Sequence, residues 1–169
     1  MIVSPLNYPG NKFRILDQIF PHFPSNIDHF VDMFCGGGSV GINVNAKKVT
    51  FVDNDPKVIG LLKFLFNSDF DKLIDKSEKI IKEYNLTNSY KNTYKFYKSQ
   101  IEDNPNNGLT KLNEEGYYKI RTDYNNIKNK HTDKAFSMLY ILMLYSFNNG
   151  LRFNKSGEFN LPAGKTDFN

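Results

Sequence analysis

The stretch that decides the fold reads Asp32-Met33-Phe34-Cys35-Gly36-Gly37-Gly38-Ser39-Val40-Gly41. An apolar segment that begins at Ile27 leads into it, and a segment with helical spacing begins near Ser39. Glycine has no Cβ and tolerates positive φ, so the backbone N–H groups of such a turn can approach a ligand directly. A second apolar run, residues 49–52, ends in Asp53. A strand, a glycine turn, a helix and a second strand that ends in a carboxylate predict an α/β nucleotide-binding unit.

The residues that flank the glycines bear on which cofactor would bind. The dinucleotide pattern G-x-G-x-x-G, which alone is weak evidence, is matched by Gly36, Gly38 and Gly41. Asp32 would repel a pyrophosphate and would suit a cationic amino group, while Phe34 offers an apolar wall. A second glycine-bearing loop, residues 8–12, precedes the first strand. A bare tight turn, a pyridine dinucleotide and S-adenosylmethionine are the alternatives, and these neighbours favour S-adenosylmethionine.

Composition limits the class of protein. The 169 residues, 40% of them hydrophobic, suffice for one domain with a small appendage. A net charge of +4 and a pI near 9.0 fit a polyanionic partner, although a compositional bias toward lysine would have the same effect. The chain has no run of about 18 apolar residues and no signal-peptide pattern, so we expect a cytoplasmic protein without a membrane span.

Cysteine and histidine usage argues against a redox or metal site. The single cysteine, Cys35, excludes an internal disulfide framework. No histidine lies near it in the sequence, so we interpret it as a small residue tolerated in the turn rather than as a nucleophile. The three histidines, His22, His29 and His131, show no metal-ligand spacing, and we predict no metal site.

Hydrophobic periodicity predicts an alternation of short strands and helices. Strands are predicted at 28–34 and 49–53. Helices are predicted from Lys12, over 39–45, from Pro56 to Phe66 with Asp55 as N-cap, from Asp69, over 113–124, and as a buried helix over 133–147. The helix from Asp69 carries a stripe predicted to face the core, formed by Phe70, Leu73, Ile74, Ile80, Ile81 and Tyr84. Residues 104–108, Asn-Pro-Asn-Asn-Gly, predict a loop.

Two further segments bear on nucleic-acid binding. Between residues 90 and 98, aromatic and basic side chains alternate, namely Tyr90, Lys91, Tyr94, Lys95, Phe96, Tyr97 and Lys98. Such residues can stack on bases and meet phosphates, but an amphipathic helix with half-buried tyrosines is the favoured explanation of the pattern. Near the C-terminus, residues 151–153 and 158–161 flank Asn154-Lys155-Ser156-Gly157, which predicts a β-hairpin with a glycine-containing turn.

With these motifs together, the chain resembles the Dam-like (D12 class) family of adenine-N6 DNA methyltransferases, over its N-terminal portion. The resemblance is firmest at Tyr8–Lys12, at Asp32–Gly41 with Asp53, and at Phe147–Lys165. It implies a Rossmann-like S-adenosylmethionine-dependent methyltransferase fold with an incomplete sheet, an inserted helical region and a β-hairpin that recognises DNA. Residues 1–66 would form the cofactor-binding part. Residues 67–169 would form the helical target-recognition region.

The resemblance also implies roles for individual residues. The cofactor site would be formed by Tyr8, Lys12, Asp32, Phe34, Gly36 and Gly38, with Asp53 receiving the ribose hydroxyls. The residues that would meet double-stranded DNA are Asn148, Arg152, Pro162 and Lys165. Arg152 is the candidate for reading guanine, which agrees with the bidentate contact of arginine to guanine O6 and N7.

One departure from the family pattern affects the expected activity. The family transfers the methyl group through an Asp-Pro-Pro-Tyr type motif, and these 169 residues contain none; the one Asp-Pro, at 55–56, begins a helix. We therefore expect the N-terminal part of a longer enzyme, with no catalytic residue in this chain and no methyl transfer by the chain alone. A missing C-terminal half and a cognate restriction endonuclease are the candidate partners. A non-catalytic DNA-binding or regulatory module and, less favoured, an NAD-dependent oxidoreductase are the alternative functions.

Overall fold

A computed structural model describes residues 1–101 and 107–169 of the chain. Residues 104–106 of the predicted Asn-Pro-Asn-Asn-Gly loop lie outside these ranges. The chain forms two compact units, Met1–Phe66 and Asn67–Asn169. In the described ranges, none of the helices is both long and apolar enough to cross a membrane.

The first unit is a small α/β unit built on two parallel strands. Strand β1 (His29–Asp32) pairs with β2 (Lys48–Phe51), with His29 opposite Lys48 and Asp32 opposite Phe51. Parallel strands need a crossover connection, and here the glycine turn and helix α2 (Ser39–Asn43) provide it. Before β1, a 3-10 turn at Phe13–Ile15 leads into helix α1 (Leu16–Ile19), which a second 3-10 turn follows. The α/β class is confirmed, and both strands are shorter than predicted.

The last helix of the first unit begins as its sequence predicts. Helix α3 spans Pro56–Asn67, and the Asp55 carboxylate accepts a hydrogen bond from the Lys57 N–H at 2.9 Å. This contact is an N-cap, which satisfies one of the backbone donors that a helix start leaves without an intrahelical partner. Four of its side chains are buried: Val58, Leu61, Leu62 and Phe64.

The second unit is mainly helical. Its helices are α4 (Phe70–Glu83), α5 (Tyr94–Lys98), α6 (Thr110–Asn126) and α7 (Asp133–Tyr145). The predicted buried helix is α7, which packs against α4 and α6 and buries eight of its thirteen residues. The Thr132 hydroxyl begins α7 by accepting a hydrogen bond from the Ala135 N–H at 3.2 Å.

One residue of the stripe predicted to face the core from helix α4, Phe70, lies at the surface. Ile81 and Tyr84 are buried, at 3% and 7% exposure, whereas Phe70 is 68% exposed. The remaining members, Leu73, Ile74 and Ile80, are half-buried. Phe70 is the first residue of the helix, where only one neighbouring turn surrounds a side chain, so helical spacing overstated its burial.

The alternating aromatic and basic segment forms the short helix α5 and the turn before it. Tyr90, Tyr94 and Phe96 are 55%, 43% and 52% exposed. Lys91 forms an ion pair with Glu78 of α4 at 2.7 Å. Whether these rings contact nucleic acid stays a prediction.

Where a β-hairpin is predicted, the chain reverses its direction over residues 151–161, hereafter the C-terminal reversal. Its arms are joined by an antiparallel bridge between Phe153 and Phe159. The Asn160 N–H donates to the Arg152 carbonyl at 3.2 Å, and Gly157, at φ +78°, closes the turn. Within the described residues no strand is assigned here, so the arms pair over fewer residues than a full hairpin predicts.

Candidate functional site

The glycine turn continues directly from the two strands. Beyond β1, the Cys35 N–H donates to the Val52 carbonyl at 3.0 Å, so the turn stays attached to the end of β2. Gly36 and Gly38 then adopt left-handed φ values of +48° and +77°. A Cβ on Gly36 would lie 2.7 Å from a carbon of the Tyr8 ring, so both its backbone conformation and its surroundings require glycine.

Two carboxylates hold this turn through its backbone amides. The Asp53 carboxylate accepts hydrogen bonds from the Gly36 N–H at 2.8 Å and the Asp55 N–H at 3.0 Å. The Asp32 carboxylate accepts one from the Gly41 N–H at 3.0 Å, inside α2. Asp32, the last residue of β1, and Asp53, which follows β2, therefore both stabilise the conformation of the turn.

A cavity of about 250 Å³ opens beside the turn. Its volume is close to the lower end of the ~300–1,000 Å³ typical of ligand pockets. It is lined by Tyr8, Pro9, Gly10, Asn11, Lys12, Asp32, Phe34, Cys35, Gly36, Gly37, Ser39 and Val40. Of the seven predicted cofactor residues, five line this cavity, whereas Gly38 and Asp53 do not. Asp53 supports the cavity wall indirectly, because its carboxylate accepts the hydrogen bond from the Gly36 N–H.

The apolar side of the cavity comes from two aromatic rings. Tyr8 is half-buried against Gly36, and Phe34 is 86% exposed although it is large and apolar. An exposed ring at the edge of a cavity is available for contact with a flat apolar ligand surface. Lys12 lines the same cavity, and its ammonium donates to the Gly10 carbonyl at 2.9 Å.

Sequence reasoning missed two residues that join the loops around the cavity. The Asn11 side-chain oxygen accepts hydrogen bonds from the Ser39 hydroxyl at 2.8 Å and the Phe13 N–H at 2.7 Å. The Ser4 hydroxyl donates to the Gly37 carbonyl and accepts from the Leu6 N–H at 3.1 Å. A signal for Asn11 existed, because asparagine ahead of a helical turn commonly accepts from a backbone N–H two residues on.

Burial and neighbouring acids set the protonation of the cavity. Burial, and to a smaller extent the charge of Asp53, raise the pKa of Asp32, and the hydrogen bond from Gly41 opposes this. Burial, Asp32 and Asp53 raise the pKa of the Cys35 thiol to about 11. Cys35 is therefore a poor nucleophile near neutral pH. Among residues 1–101 and 107–169, no three His, Cys, Asp or Glu side chains are grouped as a metal site would need.

The four predicted DNA-contacting residues are all exposed. Asn148 has a left-handed φ of +55° in the 3-10 turn Phe147–Asn149. The Phe147 N–H donates to the Pro162 carbonyl at 2.9 Å, which brings the neighbourhoods of Asn148 and Pro162 together. Arg152 lies on one arm of the C-terminal reversal. The Lys165 carbonyl accepts from the Leu109 N–H at 3.0 Å.

A model of the D12 class N6 adenine-specific DNA methyltransferases matches residues 8–169. The chain belongs to this family. It is 40% identical over 164 residues to the Type II methyltransferase M.FokI of Planomicrobium okeanokoites, and 37% identical over 164 residues to the modification methylase StsI of Streptococcus sanguinis. Each alignment covers 97% of this chain and 21% of the relative. A DNA adenine methylase of Haemophilus influenzae is 27% identical over 159 residues, which is 94% of this chain and 46% of that protein.

The resemblance inferred from the glycine turn, the early loop and the C-terminal segment is thus confirmed at the level of the family. The chain spans about a fifth of the length of the first two relatives, at 21% of each.

Proposed function

We propose that this chain forms the cofactor-binding and DNA-contacting part of a site-specific DNA adenine-N6 methyltransferase that uses S-adenosylmethionine. The proposal is carried by one observation, the cavity in which a carboxylate, two aromatic rings and the backbone of a glycine turn converge. Residues 1–66 would hold the cofactor, and residues 67–169 would contact the target.

The donor set of the cavity fits a sulfonium nucleoside with an amino-acid tail. Asp32 would pair with the cationic amino group, because its Oδ2 accepts from the Gly41 N–H while its Oδ1 accepts no hydrogen bond from the described residues. Phe34 and Tyr8 would contact the apolar parts. Asp53, which holds the Gly36 amide from outside the cavity lining, would receive ribose hydroxyls at the edge of the cavity, since a carboxylate oxygen that accepts one N–H keeps capacity for another donor. A dinucleotide would place two phosphates near these acids, so it is disfavoured.

The cofactor would supply the methyl group, and the chain would orient it through the contacts above. The target base, adenine, follows from the family and not from a residue of this chain. Because no Asp-Pro-Pro-Tyr type motif occurs in the 169 residues, methyl transfer would depend on residues outside them. The type II and modification methylases among the relatives favour a place in a restriction-modification system, with a cognate endonuclease as partner.

Reading of double-stranded DNA would fall to the C-terminal segment. Asn148, Arg152, Pro162 and Lys165 are exposed there, and Arg152 forms no ion pair among the described residues. A guanidinium that keeps its charge and its outer N–H groups can make a bidentate contact to guanine O6 and N7. The net charge of +4 favours association with a polyanion.

Calorimetric titration of the 169-residue chain with S-adenosylhomocysteine and, separately, with NAD tests the cofactor assignment. We expect weak binding of S-adenosylhomocysteine, no displacement by NAD, and loss of binding in Asp32→Ala. The matched control is Asp28→Ala, which removes a carboxylate paired with Lys47 at 2.7 Å outside the cavity. Tight NAD binding, or equal losses in both variants, would contradict the assignment.

Transfer of a labelled methyl group to duplex DNA tests the division of labour. We expect none from the chain alone. Robust adenine methylation by the purified 169 residues would refute the proposal that catalysis needs residues beyond them. DNA affinity that falls with salt and ignores the cofactor would instead favour a non-catalytic binding module.

A further inference from the structure

We propose that Asn160 is a positioning residue that sets the direction of the Arg152 guanidinium, and so decides whether the C-terminal reversal reads guanine. This rests on the proposed function, in which Arg152 contacts a base. The two residues face each other across the arms of the reversal and share three hydrogen bonds. The Arg152 Nε–H donates to Asn160 Oδ1 at 2.9 Å, its Nη2–H to the Asn160 carbonyl at 3.1 Å, and the Asn160 N–H to the Arg152 carbonyl at 3.2 Å.

The pattern of these bonds leaves one edge of the guanidinium available. Arginine carries five N–H donors in a planar fork. The Nε and Nη2 donors form the side of the fork and are taken by Asn160. In the part of the chain that the structure describes, Arg152 makes no other side-chain hydrogen bond and no ion pair. The outer edge, formed by Nη1 and the second proton of Nη2, keeps the paired donors that guanine O6 and N7 accept.

Asn160 can direct Arg152 because its own backbone is held on both sides. On one side, Phe159 exchanges two hydrogen bonds with the side chain of Asn125, at 2.9 and 3.1 Å. On the other, the Leu161 carbonyl accepts from the Tyr117 hydroxyl at 3.0 Å and from Arg121 Nη1 at 3.1 Å.

The three donors that hold this arm belong to one face of helix α6. Tyr117, Arg121 and Asn125 are spaced four residues apart, so they lie above one another on the helix. Arg121 also lies over the Tyr118 ring, 4.5 Å from its centroid, which limits its movement. Helix α6 therefore fixes the second arm of the reversal, residues 158–161, and with it the position of Asn160. Asn160 in turn holds the exposed Arg152 side chain, which would otherwise sample many rotamers. Fixing these rotamers in advance reduces the entropy lost on binding.

A randomised duplex library, selected by binding to the purified 169-residue chain and sequenced, tests this inference. Wild-type protein should enrich guanine at one position, and Arg152→Ala should lose that enrichment. Asn160→Ala should weaken the guanine preference at the same position by about tenfold, since a good bidentate contact discriminates by about that factor or more. Its dependence of affinity on salt should stay the same, because the Arg152 charge remains. Asn160→Asp should restore the preference, because a carboxylate oxygen can accept the Nε–H.

The matched control is Asn154→Ala in the same turn. It also loses two side-chain hydrogen bonds, both to Glu158 and neither to Arg152, and should keep the guanine preference. Circular dichroism of each variant confirms folding. If wild-type protein enriches no base, the proposed reading of DNA fails and this inference with it. If Arg152→Ala loses the preference while Asn160→Ala keeps it, or if Asn154→Ala matches Asn160→Ala, the positioning role alone is overturned.

Discussion

The glycine turn of the first unit and the C-terminal reversal of the second are both irregular segments, but they are held in different ways. In the turn, carboxylates accept from backbone N–H groups that lie 9 and 17 residues away in the chain. In the reversal, side chains of helix α6 bond to the backbone across separations of 34 to 44 residues. The two carboxylates lie close to the turn in the chain and form part of its sequence motif, whereas the contacts of the reversal with a distant helix face can be recognised only from the packing.

The largest effect is expected from a substitution within the glycine turn. In Gly36→Ala, the new Cβ would collide with the Tyr8 ring at 2.7 Å in a left-handed backbone, so binding of S-adenosylhomocysteine should fall at least about 100-fold by calorimetry. Gly10→Ala is the control, since Gly10 has a φ of +79° but nothing within 4 Å of the added Cβ. Comparable losses in both variants would mean that strain at a positive φ, or an added methyl group at the cavity that both glycines line, explains the requirement for glycine without the contact with Tyr8.

The next effect concerns chemistry inside the turn. With a pKa of about 11 instead of the ordinary 9.0, the Cys35 thiolate is about 100-fold scarcer at pH 8, and alkylation should be slower by about that factor. The rate should rise with pH up to about 11. The chain has one cysteine, so mass spectrometry after iodoacetamide treatment reports this site alone. Rapid modification at pH 7 would show that burial and the neighbouring acids do not suppress the thiolate.

The corresponding break in the reversal is Asn125→Ala. It removes both hydrogen bonds to the backbone of Phe159, whose side chain is 1% exposed, and should lower the free energy of unfolding by about 2 kcal/mol in urea titrations. Asn126→Ala, at an exposed neighbouring position, should change it by less than about 0.5 kcal/mol. Equal effects would mean that Asn125 affects the free energy of unfolding through the stability of helix α6 and not through its hydrogen bonds to Phe159.

The smallest expected effect concerns the protonation of Asp32, which holds the glycine turn. The pKa of Asp32 is raised in the folded state, so the folded protein binds this proton more tightly than the unfolded chain does. The resulting contribution to the free energy of unfolding is fully present below the ordinary pKa of 3.8 and is lost as pH rises through the raised pKa. Asp32→Asn keeps an oxygen for the Gly41 N–H and should remove this loss. The difference between the two unfolding free energies should stay under about 1 kcal/mol, since Asp32 is partly exposed. A wild-type stability that rises over this pH range relative to the variant would contradict the assignment.

The local signals predicted the first unit well. The strand–turn–helix–strand order, the Asp55 cap and the start of α3 all follow from residues adjacent in the chain. Five of the seven predicted cofactor residues line one cavity, which lies beside the two glycine-bearing loops. Asp53 shows the limit of the pattern, because its place after a strand predicts proximity to the site but not that it would hold the Gly36 amide.

The second unit shows where sequence reasoning ends. Continuous apolarity predicted the buried helix α7, but helical spacing placed Phe70 in the core, although it is 68% exposed. Nothing in the spacing of Tyr117, Arg121 and Asn125 indicates that their polar ends would meet the carbonyl and amide groups of residues 159 and 161.

By itself, the sequence determined the family, the α/β class and the glycine turn, because each depends on the size, charge and backbone preference of residues close together in the chain. The tertiary structure alone decided that Asn11 bonds to Ser39 and that side chains of α6 bond to residues 159 and 161 of the C-terminal reversal. Those contacts form only when the chain closes long loops, and the packing of the whole unit, not local preference, selects which distant groups meet.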